Sequence, residues 1–304
     1  MSAALMTHQA FKSKASAVAA ITLPTMAQPE VTELPPPVRR HTPLVERYGA
    51  EITAFFRHVI PVVFGLALFV VLWAIVSQGS SLPGPLKTWH SAVVVFSDPF
   101  YQKGPNDQGI GWNILMSLQR VGIGFGMAAL LGIPLGFMIG RFQFLSSMTA
   151  PIISLLRPVS PLAWLPIGLL VFKAANPAAI WVIFISSIWP MIINTAAGVR
   201  EVPQDYLNVA KVLNLSEWKV FTKILFPAVL PFMLTGIRLS IGVAWLVIVA
   251  AEMLTGGVGI GFWVWDEWNN LKVDHIIIAI ITIGTVGWLL EQALVLLAKK
   301  FSYA

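Results

Sequence analysis

The sequence contains no cysteine and has few charged residues. Of its 304 residues, 11% are charged and 57% are hydrophobic. A soluble domain carries about 25% charged residues, so this chain lacks the polar surface that would cover a core in water. The absence of cysteine excludes disulfides, thiolate metal ligands and cysteine nucleophiles. These deficits exclude a soluble enzyme, a disordered regulator and a nucleic-acid-binding domain, and they indicate an integral membrane protein.

Long hydrophobic runs dominate the chain instead. About 20 apolar residues cross the hydrocarbon core of a bilayer as a helix. Five runs have that length, at residues 59–76, 114–139, 177–199, 224–251 and 275–298. A sixth, residues 144–172, contains four prolines and Arg157, and each proline removes a backbone donor and strains the helix. The predicted fold is therefore all-α, a polytopic membrane bundle of about six spans.

The distribution of basic residues predicts how the spans are oriented. With the N-terminus inside, the inner segments carry eleven Lys or Arg and the outer segments carry four. Cytoplasmic loops are enriched in these residues, so both termini are expected in the cytoplasm. Residues 1–58 contain six Lys or Arg, four Glu and three successive prolines, which predicts a mobile cytoplasmic tail before a transmembrane domain at residues 59–304.

A short amphipathic helix is predicted in the inner loop at residues 200–223. Four apolar side chains recur there at i, i+3, i+4 and i+7 and would form a single stripe: Tyr206, Val209, Ala210 and Leu213. Asn214 tolerates the left-handed conformation that ends a helix, and Ser216 can cap the helix that follows. A stripe of this kind suits either the membrane surface or a groove in another protein, and the pattern alone leaves both open.

Residues 208–242 resemble the coupling region of type I ATP-binding-cassette importer permeases. The signature of that family is E-A-A, three residues and a glycine, followed by a proline-containing entry to the next span. The matching positions are Ala210, Ser216, Pro227, Pro231, Gly236 and Arg238. The departures are Asn208, Val209 and Asn214, which replace the glutamate, the first alanine and the glycine. The change at Asn214 preserves left-handed competence, whereas the change at Asn208 removes one polar contact expected with the ATPase.

Other stretches resemble the nitrate, sulfonate and taurine permeases within that family. They are SLQRV at 117–121, LRP at 156–158 with PLAWLP at 161–166, and AEM at 251–253. The resemblance covers about residues 110–300, with the coupling helix at about 202–215. The sequences at 171–177 and 255–270 resemble the nitrate branch and its bicarbonate relatives.

The resemblance implies a permease subunit that imports nitrate, with nitrite as a possible second substrate, across a bacterial cytoplasmic membrane and performs no catalysis. Bicarbonate or sulfonate import is the alternative. An ion-coupled secondary transporter is disfavoured because the two halves of the chain show no convincing repeat. No Gly-Lys pair occurs, so the chain lacks a phosphate-binding loop. The implied partners are a second permease copy forming a homodimer, two cytoplasmic ATPase subunits that hold ATP and magnesium, and a periplasmic or lipid-anchored binding protein; no cofactor or metal is expected in this chain.

Four ionisable residues within the predicted spans are candidates for the anion pathway. They are Arg120, Arg157, Arg238 and Glu252. Charges at this depth face the interior or a water path, and the planar fork of arginine suits a planar oxyanion. Arg157 is the strongest candidate because prolines break the helix beside it. The alternative is that these residues pair with one another or lie at an interface.

Overall fold

The computed structural model describes residues 44–302. The chain divides into two units, Met1–Phe64 and Gly65–Ala304, and the packing described below belongs to the second unit. The helices are α1 Leu44–Gln78, α2 Pro85–Ser97, α3 Ile110–Arg141, α4 Gln143–Leu156, α5 Leu165–Phe172, α6 Ala175–Arg200, α7 Gln204–Val212, α8 Glu217–Thr255, α9 Ile260–Asn269 and α10 Val273–Ser302. A 3-10 turn at Pro161–Trp164 precedes α5, and α8 contains a π-helical turn at Phe221–Leu225.

The predicted tail overlaps the first helix. Residues 1–43 of that tail lie outside the described residues. The helix α1 begins at Leu44, so the part of the predicted tail at residues 44–58 is helical. Charged residues do not end a helix by themselves, since Glu and Arg are good helix formers.

The membrane spans match the prediction of about six. Five helical segments are long and apolar enough to cross a bilayer: Val59–Gln78, Ile110–Arg141, Ala175–Arg200, Glu217–Thr255 and Val273–Lys299. The sixth is the predicted broken span, in which Gln143–Leu156 and Pro161–Phe172 meet at an angle of 96°. The all-α class is confirmed, because the only β structure among residues 44–302 is an isolated bridge between Gln102 and Gln108.

Helices α3, α6 and α8 pack most extensively, and glycine allows α3 to approach α6 closely. Three glycines four residues apart on α3 face α6: Gly132, Gly136 and Gly140. A Cβ atom added at Gly136 would lie 2.6 Å from Cβ of Thr195, a distance that real side chains do not tolerate. Gly122 and Gly126 on the same helix are also four residues apart, a spacing that predicts close packing, but no atom lies within 4 Å of a Cβ built at either.

The broken span leaves large apolar side chains uncovered. In α4 and α5, Phe144, Leu155 and Leu170 are each more than 70% exposed. The interior, by contrast, is fully enclosed where α3, α6 and α8 meet, and Ile183 and Ile248 there have no exposed surface. The exposed surface of α4 and α5 therefore faces either lipid or another protein chain.

Candidate functional site

The ends of α7 form as the sequence predicts. Pro203 precedes the first helical residue, and its fixed φ favours this position. Asn214 has a φ of 47°, so it adopts the left-handed conformation expected after the helix. The Ser216 hydroxyl accepts a hydrogen bond from the Lys219 backbone N–H at 3.4 Å, which caps α8. Pro203 and Asn214 thus mark the two ends of this short helix, and Ser216 starts the span that follows it.

One side of α7 packs on the chain itself. Leu207 is 8% exposed and Ala210 is 2% exposed. Both belong to a buried cluster that includes Val199 at the end of α6 and Val220 at the start of α8. The prediction of a single stripe facing a partner is therefore wrong at Ala210. Its side chain holds α7 against its own spans, and its small size allows that close packing.

The other side of α7 carries uncovered apolar residues. Tyr206, Val209, Val212 and Leu213 are all more than half exposed, and we call these four residues the α7 apolar face. Three of them belong to the predicted stripe. Val212 was missed because it falls outside the i, i+3, i+4, i+7 pattern, and it is the most exposed of the four at 82%. The face is thus available to a partner while Leu207 and Ala210 anchor the helix from behind.

A buried carboxylate joins the far end of α8 to α3. Glu252 is 1% exposed. Arg120 Nη1 donates to Glu252 Oε1 at 2.5 Å, Ser117 Oγ lies 2.8 Å from both carboxylate oxygens, and the Gly261 N–H donates to Oε2 at 3.0 Å. Arg120 Nε also donates to Asn176 Oδ1 at 2.6 Å. We call Ser117, Arg120, Glu252 and the Gly261 amide the Glu252 network.

Backbone glycines let the loop before α9 close over this network. A Cβ at Gly261 would lie 2.0 Å from the Val249 carbonyl oxygen, and one at Gly259 would lie 2.4 Å from the Glu252 carboxyl carbon. The same loop is held by α3, since the Gly259 N–H donates to Asn113 Oδ1 at 2.9 Å. Only residues without a Cβ allow the carboxylate and the loop to approach this closely.

Arg120 and Glu252, both candidates for the anion pathway, form an ion pair with each other. Pairing inside the bundle is the alternative weighed for them, and each also bonds to other groups: Arg120 donates to Asn176, and Glu252 accepts from Ser117 and the Gly261 amide. Arg238 is also paired, because its Nε donates to Glu291 Oε1 at 2.9 Å and its Nη2 contacts the same oxygen. Three of the four predicted pathway residues therefore have their charges neutralised within the chain.

Arg157 differs from these three. It lies at the end of α4, directly before the bend of the broken span, and is exposed. Its side chain makes no ion pair or hydrogen bond with the residues between 44 and 302 that the structure describes. It lines a cavity of about 390 Å³ together with polar Ser186 and Asn194 and apolar Trp189, Pro190 and Leu239. The cavity lies between the bend, α6 and α8.

A second acidic group, Glu267, holds α9 in place and is not among the site residues predicted from the sequence. Glu267 is 7% exposed, with Lys272 Nζ at 3.4 Å and His275 Nδ1 at 3.2 Å from its carboxylate oxygens. Burial raises the pKa of Glu267, but the contacts with His275 and Lys272 lower it by more, so the pKa lies below its ordinary value. Trp263 stacks on His275 with ring centroids 6.0 Å apart. Trp263 and Glu267 belong to α9 and His275 to α10, so a pattern within one helix does not reveal the cluster.

Comparison with known proteins gives consistent matches. The sequence profile described as "Binding-protein-dependent transport system inner membrane component" matches residues 132–303. A nitrate import permease protein of Synechocystis is 48% identical over 75% of this chain and 83% of that protein. Another nitrate import permease protein, from Leptolyngbya laminosa, is 46% identical over 83% of this chain and 91% of that protein. A bicarbonate transport system permease protein of Synechocystis is 44% identical over 79% of this chain and 88% of that protein.

The fold also matches a solved transporter. The inward-facing methionine ABC transporter superposes with a TM-score of 0.54 at 12% sequence identity, over 62% of this chain and 94% of that chain. At this identity the superposition shows a shared fold alone.

Proposed function

Because this chain belongs to the family of binding-protein-dependent transport system inner membrane components, the permease subunits of ATP-binding-cassette importers, we propose that it is the permease of a nitrate importer. Relatives named as nitrate permeases reach 48% identity. Relatives named as bicarbonate permeases reach 45%, so bicarbonate import is the second candidate function. Nitrate and bicarbonate are both small planar oxyanions with a single negative charge, which one pathway architecture can carry.

The observation that carries the coupling role is the α7 apolar face. Leu207 and Ala210 bury the inner side of the helix, so α7 is rigidly placed without using Tyr206, Val209, Val212 or Leu213. A helix presented in this way suits a groove on another protein, since its apolar side chains can enter that groove without unfolding the permease. We assign the groove to a separate ATPase subunit that binds ATP and magnesium, while this chain performs no covalent chemistry.

The binding sites of the second permease copy and of the binding protein are assigned to exposed surfaces other than the α7 apolar face. Phe144, Leu155 and Leu170 on the broken span support contact with a second copy, which would place the pathway between two permeases. A binding protein would dock at the opposite end of the bundle from α7. This arrangement requires both termini and α7 to lie in the cytoplasm, in agreement with the excess of basic residues on that side.

Reconstitution tests the proposal directly. The permease would be co-purified with candidate ATPase subunits and the binding protein and placed in liposomes. We expect nitrate to stimulate ATP hydrolysis and to accumulate inside the vesicles, and we expect neither with an ATPase whose phosphate-binding-loop lysine is replaced. Stimulation by bicarbonate alone would favour the second candidate. Absence of stable association with any ATPase would overturn both.

A further inference from the structure

Three arginines lie within the membrane-spanning segments away from the span ends, and of these Arg157 alone has no counter-ion among residues 44–302. Away from the span ends, Arg120 pairs with Glu252 and Arg238 pairs with Glu291. Arg157 has no acidic partner between residues 44 and 302. An unpaired charge at membrane depth costs several kcal/mol if it faces lipid, so Arg157 requires either water or an anion beside it.

The surroundings of Arg157 favour an anion. The bend leaves residues 157–160 outside both helices of the broken span, and interrupted helices line the ion sites of many transporters. The cavity of about 390 Å³ is larger than a small hydrated anion requires. Its polar lining comes from Ser186 and Asn194, neither of which is acidic, so nothing in the lining repels a negative charge.

Asn194 provides a second donor in the same cavity. Its side-chain amide donates one hydrogen bond to the Pro190 carbonyl at 2.8 Å. The amide has two hydrogens, so one is left for a ligand. That bond to Pro190 also fixes the amide orientation, because the nitrogen must face the carbonyl. Ser186 contributes less, since its hydroxyl hydrogen is donated to the Ile183 carbonyl at 2.8 Å.

We infer that the Arg157 cavity is a contact site for the transported anion, with the Arg157 guanidinium and the free Asn194 amide hydrogen as donors to a small planar oxyanion. The inference rests on the proposed function, since it assigns part of the pathway for that substrate. The guanidinium offers two parallel N–H groups to two oxygens of one anion, which a lysine ammonium does not reproduce. Paired Arg120 and Arg238 stay outside the site.

The test measures nitrate uptake in the reconstituted complex, divided by the amount of assembled complex. The variants are Arg157→Lys, Arg157→Gln and Asn194→Asp, with Arg57→Gln as the matched control because Arg57 is an exposed arginine outside the cavity. We expect Arg157→Gln to lose about tenfold or more of the normalised uptake, as expected for a lost charge-assisted hydrogen bond. Arg157→Lys should fall nearly as far if two parallel bonds matter.

Asn194→Asp keeps the inference testable if the Arg157 variants fail to assemble. The change preserves side-chain size but adds a negative charge to the cavity, so uptake of an anion should fall by a similar factor while ATP hydrolysis without substrate persists. Unchanged normalised uptake in Asn194→Asp and in every Arg157 variant that assembles would overturn the inference alone, because wild-type uptake would still support the proposed function. If the wild-type complex carries no oxyanion at all, the proposed function fails first.

Discussion

At the residue scale, the paired charges inside the bundle explain why so few ionisable residues are tolerated there. Glu252 is enclosed and receives bonds from Arg120, Ser117 and the Gly261 amide. A buried ion pair contributes little net stability compared with apolar residues, but removing one member leaves the other uncompensated. The two residues therefore act as one unit that joins α3, α8 and the first turn of α9.

Replacement of Glu252 tests this unit. Glu252→Gln preserves the shape of the side chain but leaves the Arg120 guanidinium, 13% exposed, without its counter-charge. We expect the free energy of unfolding to fall by about 3–5 kcal/mol, measured as a lower thermal midpoint and less folded protein in detergent. Glu217→Gln is the matched control, because Glu217 is 86% exposed and its ion pair with Arg141, at 3.7 Å, lies at the surface, where such a pair adds little stability. This change should alter neither the thermal midpoint nor the amount of folded protein. Equal effects of the two changes would contradict the role of the Glu252 network.

At the scale of elements, the two sides of α7 make different contacts. The buried side belongs to the permease core and the exposed side is free for a partner. The same charge introduced at two neighbouring residues of this helix should therefore impair different properties, folding at the buried residue and partner binding at the exposed one. The difference separates folding from docking.

The pair Val209→Glu and Ala210→Glu provides that separation. Ala210→Glu places a charge in the permease core, so we expect little folded permease in the membrane. Val209→Glu places the charge on the α7 apolar face, where Val209 is 56% exposed. That permease should fold normally but lose at least about tenfold in affinity for the ATPase subunits, as expected for an unpaired charge at an apolar contact. Normal co-purification of the Val209→Glu variant with the ATPase would rule out docking through this face.

The close contact of α3 with α6 is a second property of elements. A Cβ at Gly136 would lie 2.6 Å from Thr195 Cβ, whereas one at Gly122 meets nothing within 4 Å. Gly136→Ala is expected to force the helices apart and to destabilise the protein by about 1–3 kcal/mol. Gly122→Ala should be neutral or slightly stabilising, because alanine is the better helix former. Thermal unfolding of the two variants in the same detergent checks the contrast, which fails if they unfold together.

At the scale of the whole molecule, the transport role requires one orientation in the membrane. The proposed coupling places the α7 apolar face in the cytoplasm, and the loop between α2 and α3 would then lie outside. The number of spans, five or six with the bent pair counted, decides whether the two ends of the chain share a side. Six spans place them together.

Single cysteines report the orientation without background, because the natural chain has none. A cysteine introduced as Asn106→Cys, in the loop before α3, should react with a membrane-impermeant thiol reagent in intact cells. Lys219→Cys, at the start of α8, should react only after the cells are opened. Both positions are exposed, so accessibility within the protein does not separate them. Labelling of Lys219→Cys in intact cells would reverse the assigned orientation.

The sequence by itself determined the features that depend on near neighbours. Hydrophobic length predicted the spans, and the prolines predicted the broken span. Asn214 and Ser216 predicted the end of α7 and the start of α8, because the backbone preference of a residue and its contacts within one turn decide such features. Only the tertiary structure decided which charges pair. Arg120 and Glu252 are 132 positions apart, and their contact depends on how α3 and α8 are rotated against each other. In a similar way, the rotation of α7 against its own spans buries Ala210 and exposes Val209. A helical pattern specifies a face, but packing specifies which neighbour covers that face.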